Sequence, residues 1–294
     1  NWSSFSTISF SDYGLFINPT DFDDVNNILY GAEYPGDLTR ITGFPSAPNA
    51  EYLDIPALKD GQITALKVDP NVSNQLWVNS KNGTGSWQEI LKIENANAST
   101  VSGMSITNFP ITNFAKGNTV SCIQVEDGDP NHIVVTSSNY GVNQIWESKD
   151  GGNNWAIQDG DLPDMPVRWF TFHPDGGDSA YIATELGVWY TDNLNGASTH
   201  WEPANNVSMP NVSVRMLQYR PADRTLMAIT HGRGVFTATI PEPPSTPDSV
   251  LVFNGGTISS GTYNADTILA NSTIQSGANV VLNATQSIVL SPGF

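Results

Sequence analysis

Cysteine is almost absent from this chain: Cys122 stands alone among 294 residues, so no internal disulfide framework can form. Its apolar neighbours in Val120-Ser121-Cys122-Ile123 mark it as a small buried core residue. Charge is also scarce, at 14% of residues, and the basic part is the smaller: 12 Lys and Arg against 29 Asp and Glu leave a formal charge of -17. That balance argues against nucleic acid or an anionic lipid surface as partner. No apolar run approaches the roughly 18 residues of a membrane span, so no membrane insertion is expected, and no basic-apolar leader opens the sequence. The chain reads as a mature or trimmed product. Its opening Asn1-Trp2-Ser3 is in the phase of Asn154-Trp155-Ala156, as if a cut lay inside a repeat.

Ser, Thr, Asn, Gly and Pro are abundant, a composition of short strands joined by many turns. Five apolar strands end in polar turns: Tyr13 to Pro19, Ile63 to Pro70, Val120 to Glu126, Val167 to Pro174 and Val214 to Pro221. They recur about every 47 to 57 residues, the period of a propeller blade. A second strand follows each, as in Asn27 to Gly31, Gln75 to Asn79, His132 to Thr136, Ala180 to Thr184 and Thr225 to Thr230. A third begins at a glycine in Gly141-Val142, Gly187-Val188-Trp189 and Gly234-Val235-Phe236. The fold class expected is all-β, a β-propeller with about five blades in this chain, because stacking around an axis buries both faces of each blade. Either residues 1–10 supply the outer strand of the last blade and close a five-bladed ring, or the chain is part of a larger ring.

Ser148-Lys149-Asp150-Gly151-Gly152-Asn153-Asn154-Trp155 reads as a tight turn in which Asp150 accepts backbone N–H groups and the glycines take positive φ. At Ser148, Asp150, Gly151, Gly152 and Trp155 it resembles the Asp-box (BNR repeat) of sialidase-like and sortilin-like propellers. A decayed version ends at Thr191-Asp192 with Trp201. Leu162 to Arg168 leading to Thr184 to Trp189, and Arg215 to Thr230-His231-Gly232-Arg233-Gly234-Val235-Phe236, resemble blades of sortilin-like propellers secreted by Bacteroidetes, over residues 1–240. The resemblance implies export by the machinery of type IX secretion, and an extracellular or outer-membrane surface location in a Gram-negative bacterium. Residues 241–249 form a Pro-rich linker. Residues 250–294, whose apolar beats Thr257-Ile258, Thr267-Ile268, Thr273-Ile274, Val280 to Leu282 and Ile288 to Leu290 suggest solenoid rungs, form a small β-solenoid or β-sandwich-like module. From Phe253 to Phe294 it resembles the coat-hanger-like modules of the same secreted proteins and stops short of their full length. Ser179, Ser249 and Thr267 lie in Asp-Ser/Thr-apolar triplets that resemble O-glycosylation acceptors of that phylum.

Propeller topology puts the Asp-box on one end and the loops that precede each inner strand on the other, and binding residues concentrate on such loops. There Tyr140 offers a sugar-stacking ring. Arg168 and Arg215 occupy equivalent repeat positions, where earlier repeats carry Thr64 and Ser121. They would bind an anionic group towards the channel, or pair with surplus carboxylates. His231 and Arg233 shape a hairpin or bind ligand. A glycoside hydrolase would need two carboxylates about 5–10 Å apart, for which pairs such as Asp161 with Glu185 are available on this face. The arginine triad and Tyr-Glu pair of a sialidase find no counterpart, and Tyr34-Pro35-Gly36-Asp37 is too slight a match to carry a xyloglucanase aspartate across. The acidic runs Asp21 to Asp24 and Glu126 to Asp129 read as turns that follow inner strands and suit calcium by composition only. His132, His173, His200 and His231 show no short metal-ligand spacing, so neither metal nor cofactor is expected. The sequence favours a surface binding or scaffold protein, adhesin-like, with a glycan or another surface protein as partner; the alternative is a glycoside hydrolase or a fragment of one.

Overall fold

The computed structural model describes residues 18–33, 36–58, 61–82, 88–111, 114, 118–204, 209–241 and 250–291. The chain divides into two compact units, Asn1–Ile240 and Pro241–Phe294. Residues 1–10, the linker from 242 to 249 with Ser249, and Tyr34-Pro35 lie outside the described residues. Among the described residues no helix is long and apolar enough to cross a membrane.

The first unit is a series of antiparallel sheets. Blade one contains β1 (Thr20–Asp23), β2 (Ile28–Ala32), β3 (Leu38–Thr42) and β4 (Asn49–Leu53). Blade two contains β5 (Gly61–Val68), β6 (Leu76–Asn82), β7 (Gln88–Glu94) and β8 (Ser105–Phe109). Blade three contains β9 (Val120–Glu126), β10 (Asp129–Ser137), β11 (Ile145–Ser148) and β12 (Ala156–Ile157). Blade four contains β13 (Val167–Phe172), β14 (Ala180–Thr184), β15 (Gly187–Thr191) and β16 (Glu202–Pro203). Blade five shows β17 (Val214–Arg220), β18 (Thr225–Thr230) and β19 (Val235–Thr239).

Alternation of side chains along each strand sends successive residues to different neighbours, which is what a stacked blade requires. On β10, Ile133 and Val135 join Trp77, Ile90 and Phe109 of blade two, while Val134 joins Phe170 and Ile182 of blade four. On β14, Ile182 faces blade three and Ala183 packs with Leu217 and Leu226 of blade five. A fourth cluster fills the space between blades one and two around Tyr30, Leu38, Leu76 and Leu91. The five innermost strands, β1, β5, β9, β13 and β17, all line one axial cavity, so five blades surround a single axis.

Two strand readings need correction. Blade one begins with β1 at Thr20–Asp23, where a polar turn was expected after a strand at Tyr13 to Pro19; of that strand, residues 13–17 lie outside the described residues. Asp21 and Asp23 are therefore strand residues, tolerated because Asp21 pairs with Lys67 and Asp23 caps the hairpin at Asn26. The third strand of blade three starts at Ile145, not Gly141, because Gln144 and Ile145 donate their backbone N–H groups to the Asp159 carboxylate and leave 138–144 as a loop.

Cys122 lies buried on β9, and burial pushes its thiol up to about 11. At pH 8 about one molecule in a thousand carries a thiolate. The native protein should therefore resist a thiol-specific disulfide reagent that labels Cys122 at once in denaturant; equal rates would contradict its burial.

The second unit consists of β20 (Val250–Ile258), β21 (Gly261–Ile274) and β22 (Val280–Leu290), paired in parallel. A register shift at Ala265/Thr267 divides β21 into two segments. The first pairs with the start of β22, the second with both β20 and the end of β22. The apolar beats thus belong to three long bent strands that stack in solenoid fashion, with Ile258, Ile268, Ala270 and Ser272 turned inward.

Candidate functional site

At the Ser148-to-Trp155 turn, Ser148 Oγ receives the Gly152 N–H at 2.8 Å and donates to Asp150 Oδ1 at 2.9 Å. Asp150 takes the backbone and side-chain N–H groups of Asn154 at 2.8 and 2.6 Å, and those bonds lower its pKa. Gly151 and Gly152 have positive φ, and a Cβ on Gly152 would come within 2.9 Å of the Phe109 ring. Trp155 packs on the core between blades two and three. Ser148, Asp150, Gly151, Gly152 and Asn154 are committed to the shape of the turn.

The opposite end gathers residues from blades three, four and five. Tyr140 is 64% exposed on the β10–β11 loop, and the next residue, Gly141, donates its N–H to Asp164 of the segment that leads into β13. Arg168 and Arg215 each fill a break in register between an inner strand and its neighbour, at Val167/Trp169 and Val214/Met216. Thr64 and Ser121 sit at the corresponding breaks of blades two and three. The repeat equivalence read in the sequence is a shared β-bulge, a device that re-aims one side chain.

Arg168 Nε donates to Glu185 Oε1 at 2.8 Å, with a second, closer contact from the same guanidinium. Burial alone would raise Glu185. The Arg168 hydrogen bonds, the nearby Ser213 hydroxyl and the charges of Arg168 and Arg215 outweigh it and hold the carboxyl below its usual range. Arg215 is exposed beside this pair. His231 and Arg233 are also exposed, on the β18–β19 hairpin, where the His231 N–H donates to Ser213 O at 2.9 Å.

Asp161 serves a different place. It accepts the Trp201 N–H at 2.8 Å and holds His200 Nδ1 at 2.5 Å, just ahead of β16, the outermost strand of blade four. Those bonds, the backbone one first, lower its pKa. Asp161 and Glu185 thus have separate partners, each of which favours the ionised carboxylate. Ser179 donates its hydroxyl to Asp192 O at 2.9 Å, and Thr267 lies in β21 opposite Val250 and Ser287. Four members of the acidic runs have partners within the protein: Asp21 pairs with Lys67, Asp23 with Asn26, Asp129 caps Asn131, and Glu126 meets His132.

The axial cavity, about 240 Å³, takes in neither bulge arginine. Its polar lining comes from the Asp21–Lys67 ion pair at 3.0 Å, Gln124, Thr171 and Gln218, beside Trp169 and Tyr219. Lys67, Gln124, Thr171 and Gln218 each stand three positions after a bulge residue, a regularity that aligning the repeats would have disclosed. A further cluster joins blades three and four. The buried His132 places Nδ1 at 2.6 Å from Glu126 and Nε2 at 2.7 Å from Glu147, and its ring packs on Phe172. Burial opposes its protonation, but the two carboxylates prevail and its pKa is raised.

Five sheets about one polar axial cavity define a five-bladed β-propeller, joined here to a unit of parallel solenoid form. The chain is similar in structure to the GH74 xyloglucanase from Xanthomonas campestris, at TM-score 0.54 and 15% identity, with 79% of this chain and 39% of that one aligned. An ancestral GH74 enzyme gives TM-score 0.51 and 13% identity over 81% and 35%. YCF48 from Cyanidioschyzon merolae gives TM-score 0.50 and 11% identity over 72% and 66%. The chain therefore spans little more than a third of the length of the two GH74 proteins, and these likenesses establish the fold alone. No protein-family model and no curated protein matches the chain.

Proposed function

We propose that this chain is a non-catalytic binding propeller of the secreted Asp-box, sortilin-like kind, exported by the type IX route of Bacteroidetes and acting at the outer cell surface. Its ligand is a glycan or another surface protein, taken on the loops of blades three to five, where Tyr140 supplies an exposed ring and Arg215 an exposed cation. One observation carries this reading: Glu185 and Asp161, the pair the sequence offers as an example for glycoside hydrolysis, are each bonded to other partners, Arg168 and the 200–201 segment, that favour the ionised form. Hydrolysis would need one of them to carry a proton to the leaving oxygen.

A panel of insoluble polysaccharides, scored for retention of the protein and for release of reducing ends, tests the proposal. Retention without release is expected, weakened about tenfold by Tyr140→Ala or Arg215→Ala, the loss of one good contact of about 1.4 kcal/mol. Reducing ends that appear with the wild type and vanish with Glu185→Gln would make the chain a glycoside hydrolase, the activity named for its GH74 neighbours.

A further inference from the structure

We propose that His132, Glu147 and Asp178 form a binding site for one divalent transition-metal cation of the zinc class, which ties blade three to blade four. One ligand atom from each of the three lies within 4.8 Å of the others. They come from β10, from β11 and from the β13–β14 hairpin, so a bound ion bridges two blades that no covalent link holds at this end. His132 and Glu147 are buried, which distinguishes the group from a patch of surface carboxylates.

The surroundings are those of a metal site. A ligating histidine usually gives its other ring N–H to a carboxylate, which fixes its orientation; His132 does so to Glu126 at 2.6 Å. A ligating carboxylate is usually held by a second hydrogen bond; the Gln158 side-chain N–H donates to Glu147 Oε2 at 2.6 Å and leaves Oε1 facing the site. The Lys149 ammonium already bridges the two carboxylates, 2.6 Å from Asp178 and 3.6 Å from Glu147. Half its side chain is exposed, so it can leave towards solvent and yield its place to an ion of higher charge.

The donor set selects the metal. One imidazole nitrogen with two carboxylate oxygens suits zinc in a tetrahedral site with a fourth position for water, whereas calcium asks for six to eight oxygens. Tetrahedral zinc sets its ligand atoms about 3.3 Å apart. His132 Nε2 and Glu147 Oε1, now 2.7 Å apart, must open slightly, Nε2 must release to solvent the proton it now shares with Glu147, and the half-exposed Asp178 must rotate inward, so binding should strengthen as pH rises.

The test uses the whole chain, stripped with a chelator and titrated with Zn²⁺, Co²⁺ and Ca²⁺ by calorimetry, thermal melting and, for Co²⁺, visible absorption. The expected result is one Zn²⁺ per chain, a raised Tm, and a visible Co²⁺ band of tetrahedral intensity. Asp178→Asn, at a half-exposed position that leaves the fold intact, should abolish these signals. Lys149→Met should tighten binding, and Glu126→Gln should weaken it by about 10- to 100-fold. The site is refuted if Zn²⁺ neither binds nor raises Tm, if binding is unchanged in Asp178→Asn and Lys149→Met, or if Ca²⁺ binds in place of Zn²⁺.

Discussion

Asp69→Ala should lower the stability of the propeller by about 3–5 kcal/mol, the cost of leaving buried groups without their charged partner. Asp69 is buried directly after β5. One carboxylate oxygen takes the backbone N–H groups of Asn71 and Val72, the other the side-chain N–H groups of Gln75 and Trp77, at 2.7 to 3.1 Å. Gln75 and Trp77 are themselves buried, so no water replaces the lost acceptor. Asp69→Asn should recover little, since its amide would turn an N–H towards these donors. The equivalent change in blade one, Asp23→Ala, should cost only about 1–2 kcal/mol, because Asp23 accepts two bonds and both come from Asn26. Urea unfolding followed by tryptophan fluorescence separates these values; equal losses at the two positions would contradict the account.

The next largest effect is expected at Gly160→Ala. Gly160 lies in the segment between β12 and β13 with φ +52, and a Cβ there would overlap the Thr199 carbonyl oxygen and come within 2.6 Å of its carbon. Backbone cannot step aside as a side chain tip can. Left-handed geometry costs an alanine roughly 1–2 kcal/mol and overpacking about 1–3 more, so about 2–5 kcal/mol in all. The damage should stay local at first. The same segment receives Trp201 Nε1 through Gln158 O at 3.0 Å and holds Gly196 and Thr199 through Gln158 Oε1. A red-shifted Trp201 emission before global unfolding is the expected signature; an unchanged midpoint in urea would disprove the steric argument.

Much of the propeller was legible because its inner strands carry apolar runs closed by a polar turn. The strand from Val120 to Glu126 is β9 residue for residue, and those from Val167 and Val214 start where β13 and β17 start. Blade one was displaced because Asp21 and Asp23 resemble turn residues; only the partners supplied by Lys67 and Asn26 make them strand residues. The outer strands β4, β8, β12 and β16 left no clear trace, since they are short and largely exposed and lack an apolar rhythm. At the candidate site, Arg168 and Arg215 were found by repeat position, but their direction was not, because a bulge is a property of pairing between strands. The His132 cluster was invisible for a similar reason: its members lie 15 and 31 positions apart (147 − 132 and 178 − 147) and meet only when two blades stack.

In the second unit, Val250 pairs with Thr267, 17 positions on, and Thr267 with Ser287, 20 positions on. Each coil of this solenoid presents to the next the same face that it receives from the one before: Leu251, Ile268 and Ile288 form one column, Val252, Leu269 and Val289 another. Such a module tolerates genetic change in units of a coil. Duplication or loss of one whole coil preserves every column, whereas a single inserted residue inverts the facing of those that follow it unless a register shift absorbs it, as at Asn254/Thr257 and Ala265/Thr267. Lineages that carry this module should therefore differ in its length by whole coils, here 17 and 20 residues long, a ladder of sizes in place of a continuum.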